Sequence, residues 1–526
     1  MIYDMSSEST FRLARECLEE CLYGKNDHKD CPRLVPINIP TRVIDCQYPH
    51  SVRLKINTQG VHEPYTALSY VWGGDQPERT TTENIARYAR EGLDMENTPQ
   101  TIKDAIRATH ELGIRYLWID SYCIIQNSPE DKANELPQMR RIYQNAYVTI
   151  IAAKTPKMNL GFLQDCPSLQ SNFRVPFYCP NGELGSMTLS PRAWYNQYDA
   201  AKEPVNRRSW CLQERILAPR ALVYASHTLQ YLCQRGLKNI GGSFIPSKVN
   251  CVERLPREFF GSGLHVPGSD IKILSPDKMR AITMVWYHVV SDYTSRGLTV
   301  SSDKLNAISG VAEEFKRILK CEYISGMWEH HLIGDLLWTR MDDPLPRPEE
   351  FRAPSWSWPS IEGMVGHPAG YVDPTEAYGF RILDWRIELV HPGFAFGEVR
   401  EGSYLKVEGR LKSMLWKSGR DQLYEYTASS RNDPEIPIGY APVDSQNDVH
   451  EEGILEEVWA LPIILRVKKR LMSSRDSPKT LWGLLLKKAP GEKEDKYRRV
   501  GSFRMALEEK TEKGFEAAPR FEIVLI

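Results

Sequence analysis

The sequence predicts an α/β protein with a mostly parallel sheet core, a helical middle region and a β-rich C-terminal unit. Three observations lead there. Between residues 61 and 153, short apolar runs alternate with capped amphipathic helices, the pattern of parallel strands joined by crossover helices. From Asp277 to Trp338, apolar residues recur at helical spacing. Beyond residue 360 the apolar stretches are short and strand-like. At 526 residues the chain is too long for one ordinary core, and roughly 100–200 residues per domain suggests about three packing units.

Residues 1–60 read as a helical lead-in followed by an extended segment, in which "TRVIDC" and "VRLKI" alternate like strand residues. "PYTALSYVWGGD" reads as a buried strand, Tyr65 to Val71, running into a Gly-Gly turn. In "NTPQTIKDAIRATHELG", Thr98 suits an N-cap and Pro99 the first helical position. Ile102, Ala105, Ile106, Thr109 and Leu112 then share one face, and Gly113 ends the helix. "IRYLWID" is the second strand, ending on Asp120. "SPEDKANELPQMRRIYQNA" repeats the helix signature, with Ser128 as cap and a face of Leu136, Met139, Ile142, Tyr143 and Ala146. Pro137 predicts a kink or a split within it. "YVTIIAA" is the third strand.

An insertion near 155–205 is rich in Pro, Asn and Gly, with short strands in "FRVPFYCP" and "GSMTLSPR". A helix from Trp210 to Leu217 and strands in "RALVYAS" and "LQYLCQ" complete a core spanning 61–235. In the helical region, 236–360, Val285, Trp286, Val289, Val290 and Tyr293 share one face. Leu305, Ile308, Val311, Ala312, Phe315 and Leu319 share another. "RAPSWSWPS", Arg352 to Ser360, marks a boundary, and the β-rich unit is expected over 361–526. Within that unit Arg420 to Gly453 reads as a long polar loop.

Hydrophobic content of 41%, charged content of 26% and a net charge of −1 are those of a soluble globular protein with no global field for nucleic acid or an acidic membrane. The local clusters Lys468-Lys469-Arg470, Lys487-Lys488 and Arg498-Arg499 lie beside strand-like segments and read as solvated edges. "MIYDMSSEST" lacks the series of a secretory signal, and runs such as "AYVTIIAA" fall short of the ~20 residues of a membrane span. A cytoplasmic location is the economical expectation. Eleven scattered cysteines fit reduced thiols better than a disulfide framework. Cys17, Cys21, His28 and Cys31 form C-x3-C-x6-H-x2-C. That pattern is open to zinc ligation or to a short helix with half-buried thiols. The spacing is not that of a standard finger, so no metal site is assigned. His110, His330 and His331 are expected as surface or cap residues.

Three blocks, "YTALSYVWGG", "YLWIDSYCIIQNSPEDKANELPQMRRIYQNAYVTIIAA" and "RRSWCLQERILAPRAL", together resemble the HET (heterokaryon incompatibility) domain of filamentous fungi. The likeness extends to "WYHVVSDYTSRGLTVSSDKLNAISGVA", "RAPSWSWPS", "KYRRVGSF" and "FEIVLI", which are similar to regions that accompany HET domains in large fungal proteins. The resemblance implies non-self recognition after hyphal fusion, with the HET domain triggering cell death. It implies an incompatibility partner protein or self-assembly as the partner. HET domains in turn resemble TIR domains remotely, which implies a TIR-like, flavodoxin-like sheet. Some TIR domains cleave NAD through a glutamate in a segment reading Trp-Cys-Leu-x-Glu. "WCLQE" places Trp210, Cys211, Leu212 and Glu214 on those letters, although about 55 residues separate it from "TIIAA", where TIR domains have a short loop. NAD is thus implied as a substrate, and no bound cofactor is expected.

The residues themselves suggest where such chemistry would lie. Ligands of open parallel sheets bind beyond the carboxyl ends of the strands. Ser69, Tyr70, Trp72, Gly73, Gly74 and Asp75 end the first strand, and Asp120, Ser121 and Cys123 end the second. The glycines would admit a phosphate, and Trp72 could stack on a base or nicotinamide ring. Glu214, in a cleft, would stabilise an oxocarbenium-like state. Arg207, Arg208 and Arg215 would keep it ionised and could bind pyrophosphate. Alternatively, Glu214 forms an ordinary ion pair on a helix surface, and Asp120 fixes a loop through backbone donors. Cys123 and Cys211 read as small core residues rather than nucleophiles. Three functions stay open: an incompatibility effector acting on NAD, a non-catalytic HET signalling or scaffold module, and an accessory protein of fungal metabolism.

Overall fold

The apolar runs of the first half become neighbouring strands of one sheet. The structure is a computed structural model. It describes residues 4–24, 28–33, 38–56, 60–74, 76, 78–164, 173–189, 198–240, 254–260, 274–425, 436–449, 454–467, 479–489, 491 and 496–526. It divides into two compact units, Met1–Asp270 and Ile271–Ile526. Among the described residues no helix is long and apolar enough to cross a membrane.

In the first unit, α1 (Glu8–Tyr23) precedes β1 (Arg42–Asp45), β2 (Arg53–Ile56) and β3 (Tyr65–Ser69). Then come α2 (Ile85–Arg90), α3 (Gln100–Glu111), β4 (Tyr116–Trp118), α4 (Asp120–Cys123), α5 (Pro129–Glu135), α6 (Met139–Asn145) and β5 (Val148–Ile151). A separate hairpin, β6 (Phe173–Tyr178) and β7 (Leu184–Leu189), lies in the insertion. After it come α7 (Trp210–Ile216), β8 (Ala221–Tyr224), β9 (Leu229–Cys233) and β10 (Gly236–Asn239). The sheet order is β10-β9-β8-β5-β3-β4-β1-β2. β3 pairs in parallel with β4 and β5, and β5 with β8. The strands outside these four are antiparallel. The sheet is therefore parallel at its centre and mixed as a whole, and the lead-in is part of it through β1 and β2.

Local chemistry explains the helix ends. Gly113, at φ 74°, takes the left-handed conformation after α3, with backbone bonds from Gly113 N to His110 O and Ile114 N to Thr109 O. Thr98 does not cap α3; its hydroxyl donates to the Asp94 carbonyl, and the helix begins after Pro99. Ser128 Oγ accepts from Asp131 N at 3.2 Å, and Pro129 opens α5. A 3-10 turn, Leu136–Gln138, splits α5 from α6 at Pro137. The split rotates Leu136 outward, while Met139, Ile142 and Tyr143 stay buried. Every residue of β3, β4 and β5 is buried, as parallel strands covered on both faces require. Trp118 lies edge-on to Tyr143 at 5.6 Å, a contact worth about 1 kcal/mol beyond burial.

In the second unit, helices Pro276–Thr294 and Ser309–Leu319 bury the predicted apolar faces, with Val285 only partly covered. Beyond them six strands close into an antiparallel barrel. Lys412–Lys417 pairs with Gln422–Glu425, which pairs with Gly439–Tyr440. That strand pairs with Lys496–Ala506, then Lys479–Lys488, then Glu456–Val467, which returns to Lys412–Lys417. The expected polar loop, Arg420 to Gly453, thus contains two barrel strands. Their side chains Leu423 and Tyr424 are buried, and polar neighbours hide this from a periodicity reading. Arg499 is not a solvated edge. It is fully buried, paired with Asp444 at 2.8 Å and stacked 3.4 Å from the Trp338 ring. Lys468-Lys469-Arg470 lies outside the described residues. His331 is also buried. Its Nδ1 lies 2.9 Å from the Tyr287 hydroxyl, which also reaches Asp335 Oδ1 at 2.8 Å. His110 and His330 are exposed.

Candidate functional site

α7 packs on β3, β5 and α6, which brings Glu214 to the sheet centre, where strand order reverses on either side of β3. The site assembles from four pieces of chain: the end of β3, the start of α4, α6 and α7. None is close to all the others in sequence.

Asp120 opens α4 directly after the second strand. Its carboxylate accepts from Ser121 N at 2.7 Å and from Trp72 Nε1 at 3.0 Å. Trp72 is thereby tied to Asp120 and half-buried against the core. Tyr70 is buried and donates to Ser121 Oγ at 2.8 Å, while accepting from Gln76 Nε2 at 2.9 Å. These bonds hold the β3 loop against α4. Both expected roles of Asp120 are thus compatible with its position: it anchors a loop and it lies beside the other carboxylate. Tyr143 donates to Leu68 O at 3.0 Å and brings its ring under the same strand.

Glu214 is 6% exposed. Burial first, then the neighbouring Asp120 charge, raises its carboxyl to about 7. The charge of Arg208 and the nearby Ser69 and Cys211 side chains pull the other way without cancelling that rise. The Ser69 hydroxyl, fully buried, has no well-formed hydrogen bond and lies near enough to favour the charged carboxylate. Asp120 is raised as well, again chiefly by burial, against Arg208 and its backbone donor. Two carboxyls therefore share one electrostatic site, and Glu214 keeps its proton to a higher pH than an ordinary glutamate does.

The arginines do not all serve it. Arg208 Nη1 donates to Tyr70 O at 2.8 Å. Burial opposes its charge, but Cys211, Glu214 and Asp120 hold the guanidinium above its ordinary value. Arg207 is exposed, and Arg215 reaches Asn206 Oδ1 at 3.3 Å. The expectation that three arginines keep Glu214 ionised is corrected on this point. Arg208 is the arginine among the largest influences on its charge, and desolvation outweighs that coupling. The surface ion-pair alternative fails too, because the residue is buried.

The glycines separate in role. Gly73, at φ 72°, has Lys157 Cα and Pro156 O within 2.7 Å of where a Cβ would stand, so its missing side chain admits the chain's own backbone. Gly74, at φ 132°, has nothing within 4 Å and alone keeps an open approach. Ser69 and Tyr70 are buried and hold the site rather than face solvent. Trp210 is half-buried against the core, and Asp75 lies outside the described residues. Cys123 is buried with its thiol pushed up to about 12, and Cys211 Sγ contacts Tyr70 O at 3.8 Å, as core residues do. Sequence reasoning missed Gln76 and assigned Tyr143 to packing alone. A polar residue just after a Gly-Gly turn was the available signal for Gln76.

Residues 65–214 match the family model described as "Heterokaryon incompatibility protein (HET)". The match opens on the first residue of β3 and closes on Glu214, so it encloses all four pieces of the site. No curated protein and no solved structure matches the chain. From β3 to Glu214 this chain carries a HET domain, the domain of heterokaryon incompatibility proteins.

Proposed function

We propose that the chain acts in heterokaryon incompatibility as a cell-death effector, and that its effector step is cleavage of the nicotinamide glycosidic bond of NAD at the Glu214 site. The observation that supports this is the convergence of Glu214, Asp120 and Arg208 at the carboxyl ends of β3 and β4. Taken in chain order, the four parallel strands lie 2-1-3-4 across the sheet, the order of flavodoxin-like folds. In such sheets ligands sit at the point where strand order reverses. Leaving of nicotinamide places positive charge on the ribose, and an ionised Glu214 would stabilise it. Arg208 and the open Gly74 backbone would face the pyrophosphate. The cleft that admits the ribose would form beside α7.

The burial of Glu214 favours a second reading, a HET module that signals by assembly without catalysis. Nicotinamide release from NAD by the purified protein separates the two. Glu214→Gln should lower release by a factor on the order of 10² or more while the fold persists. A folded Glu214→Gln protein with undiminished release would remove Glu214 from the chemistry. A wild type with no release, whose overexpression still kills cells, would establish the assembly reading.

A further inference from the structure

Away from the HET site, four ligand-type side chains from distant parts of the first unit converge. Cys21 lies in the last turn of α1, and His28 and Cys31 lie in the turn that follows. Cys233 ends β9, at the hairpin to β10. Their sulfur atoms and the histidine nitrogen all lie within 4.8 Å of one another, and all four residues are buried. We propose that Cys21, His28, Cys31 and Cys233 form a closed, structural zinc site that staples α1 and its following turn to the β9–β10 edge.

Two of the six ligand separations have the length of a tetrahedron's edges. His28 Nδ1 lies 3.4 Å from Cys31 Sγ and 3.6 Å from Cys233 Sγ. A tetrahedral zinc with Zn–S near 2.3 Å and Zn–N near 2.0–2.1 Å sets those separations at about 3.5–3.6 Å. Three thiolates and one imidazole suit zinc rather than magnesium or calcium, which take oxygen ligands. Four protein ligands leave no open position, so the ion holds structure and activates no water.

The surroundings carry the matching charge. Zinc with three thiolates has a net charge of −1, and two guanidinium groups stand beside it. Arg220, 1% exposed, acts on Cys21, and Arg254 acts on Cys233 and Cys31. Arg220 also donates to Pro32 O, next to Cys31. Arg254 donates to Ala218 O, yet its Nε and Nη1 are buried without a hydrogen bond. Buried cations without partners are costly, and an anionic metal centre offsets that cost. The N-terminal motif supplies only three of the ligands. Cys17, one turn earlier on α1, lies outside the group, and the fourth ligand comes from the sheet.

The test uses the full chain, produced with zinc in the medium and purified under reducing conditions. Elemental analysis should find about one zinc per chain in the wild type and in Cys17→Ser, and less than about a tenth in Cys233→Ser. Chelation should lower the wild-type melting midpoint by roughly 5–15 °C. Cobalt exchanged into the wild type should show sulfur-to-cobalt charge transfer and the intense d–d bands of a tetrahedral site, a readout that stands even if Cys233→Ser does not fold. Wild-type protein without zinc, with a melt indifferent to chelator, would overturn the proposal. So would a disulfide joining two of Cys21, Cys31 and Cys233, or equal zinc loss from Cys17→Ser and Cys233→Ser.

Discussion

Glu214 shows how burial rewrites a side chain. Its carboxyl stands at about 7 against an ordinary 4.5, so the folded protein binds this proton more tightly than the unfolded chain does. The stability tied to that proton is fully present below about pH 4.5 and is lost as pH rises through about 7. A shift of this size corresponds to about 3 kcal/mol. Glutamine stays neutral throughout. Glu214→Gln should therefore match the wild type in urea unfolding at about pH 4 and exceed its stability by up to about 3 kcal/mol at about pH 8. Loss of several kcal/mol at pH 8 would instead mark a buried ion pair. Catalysis through the ionised form should rise with pH around a midpoint near 7, so activity and stability would run in opposite directions. The glutamate was legible in "WCLQE", but its protonation was not. Arginine neighbours in sequence suggest an ionised group, whereas Arg207 is exposed and Arg215 bonds to Asn206.

At the scale of elements, the turn after β3 carries the sharpest contrast. Gly73→Ala adds a methyl against the Pro156–Lys157 backbone, in a conformation that already disfavours side chains. Gly74→Ala meets only the conformational penalty. Thermal melts should show Gly73→Ala destabilised by about 2–4 kcal/mol and Gly74→Ala by about 1–2 kcal/mol. Equal costs would show that the 156–157 segment does not press on Gly73. Elements with strong local signals were read correctly: β3, β4 and β5, the Ser128 cap, the Pro137 split and the Gly113 stop. The placement of β1 beside β4, with β2 beyond it at the edge, was not legible, because alternation marks a strand without naming its neighbour.

For the whole molecule, the "SWSW" segment packs against the strands that follow it. Trp356 Nε1 donates to Leu525 O at 3.1 Å, Trp338 Nε1 donates to Trp356 O at 2.9 Å, and Arg499 N donates to Ser355 Oγ at 2.9 Å. Arg499 also donates to Leu336 O and Trp338 O. A fragment covering 1–270 should give one cooperative thermal transition. One covering 1–350 should expose the apolar surface around Trp286, Trp328 and Trp338 and bind a hydrophobic dye. Dye-free, fully cooperative melting of the 1–350 fragment would place the boundary back near 350. Pro-rich composition suggested a linker there; the buried tryptophans show that prolines can also shape a packed turn.

What the sequence determined by itself is what lies within a turn or two of chain. Periodicity, caps and breakers set the strands and helices, and the three HET blocks identified the domain from Tyr65 to Glu214. Tertiary structure alone decided what depends on residues that meet across the fold. It joined the lead-in to the sheet, closed the barrel through strands hidden in a polar stretch, and buried Arg499 against Asp444. It set Glu214 beside Asp120 and brought Cys233 to Cys21, His28 and Cys31. The physical reason is the same in each case. Desolvation, charge coupling and ligand geometry are properties of neighbours in space, and a sequence displays only neighbours along the chain.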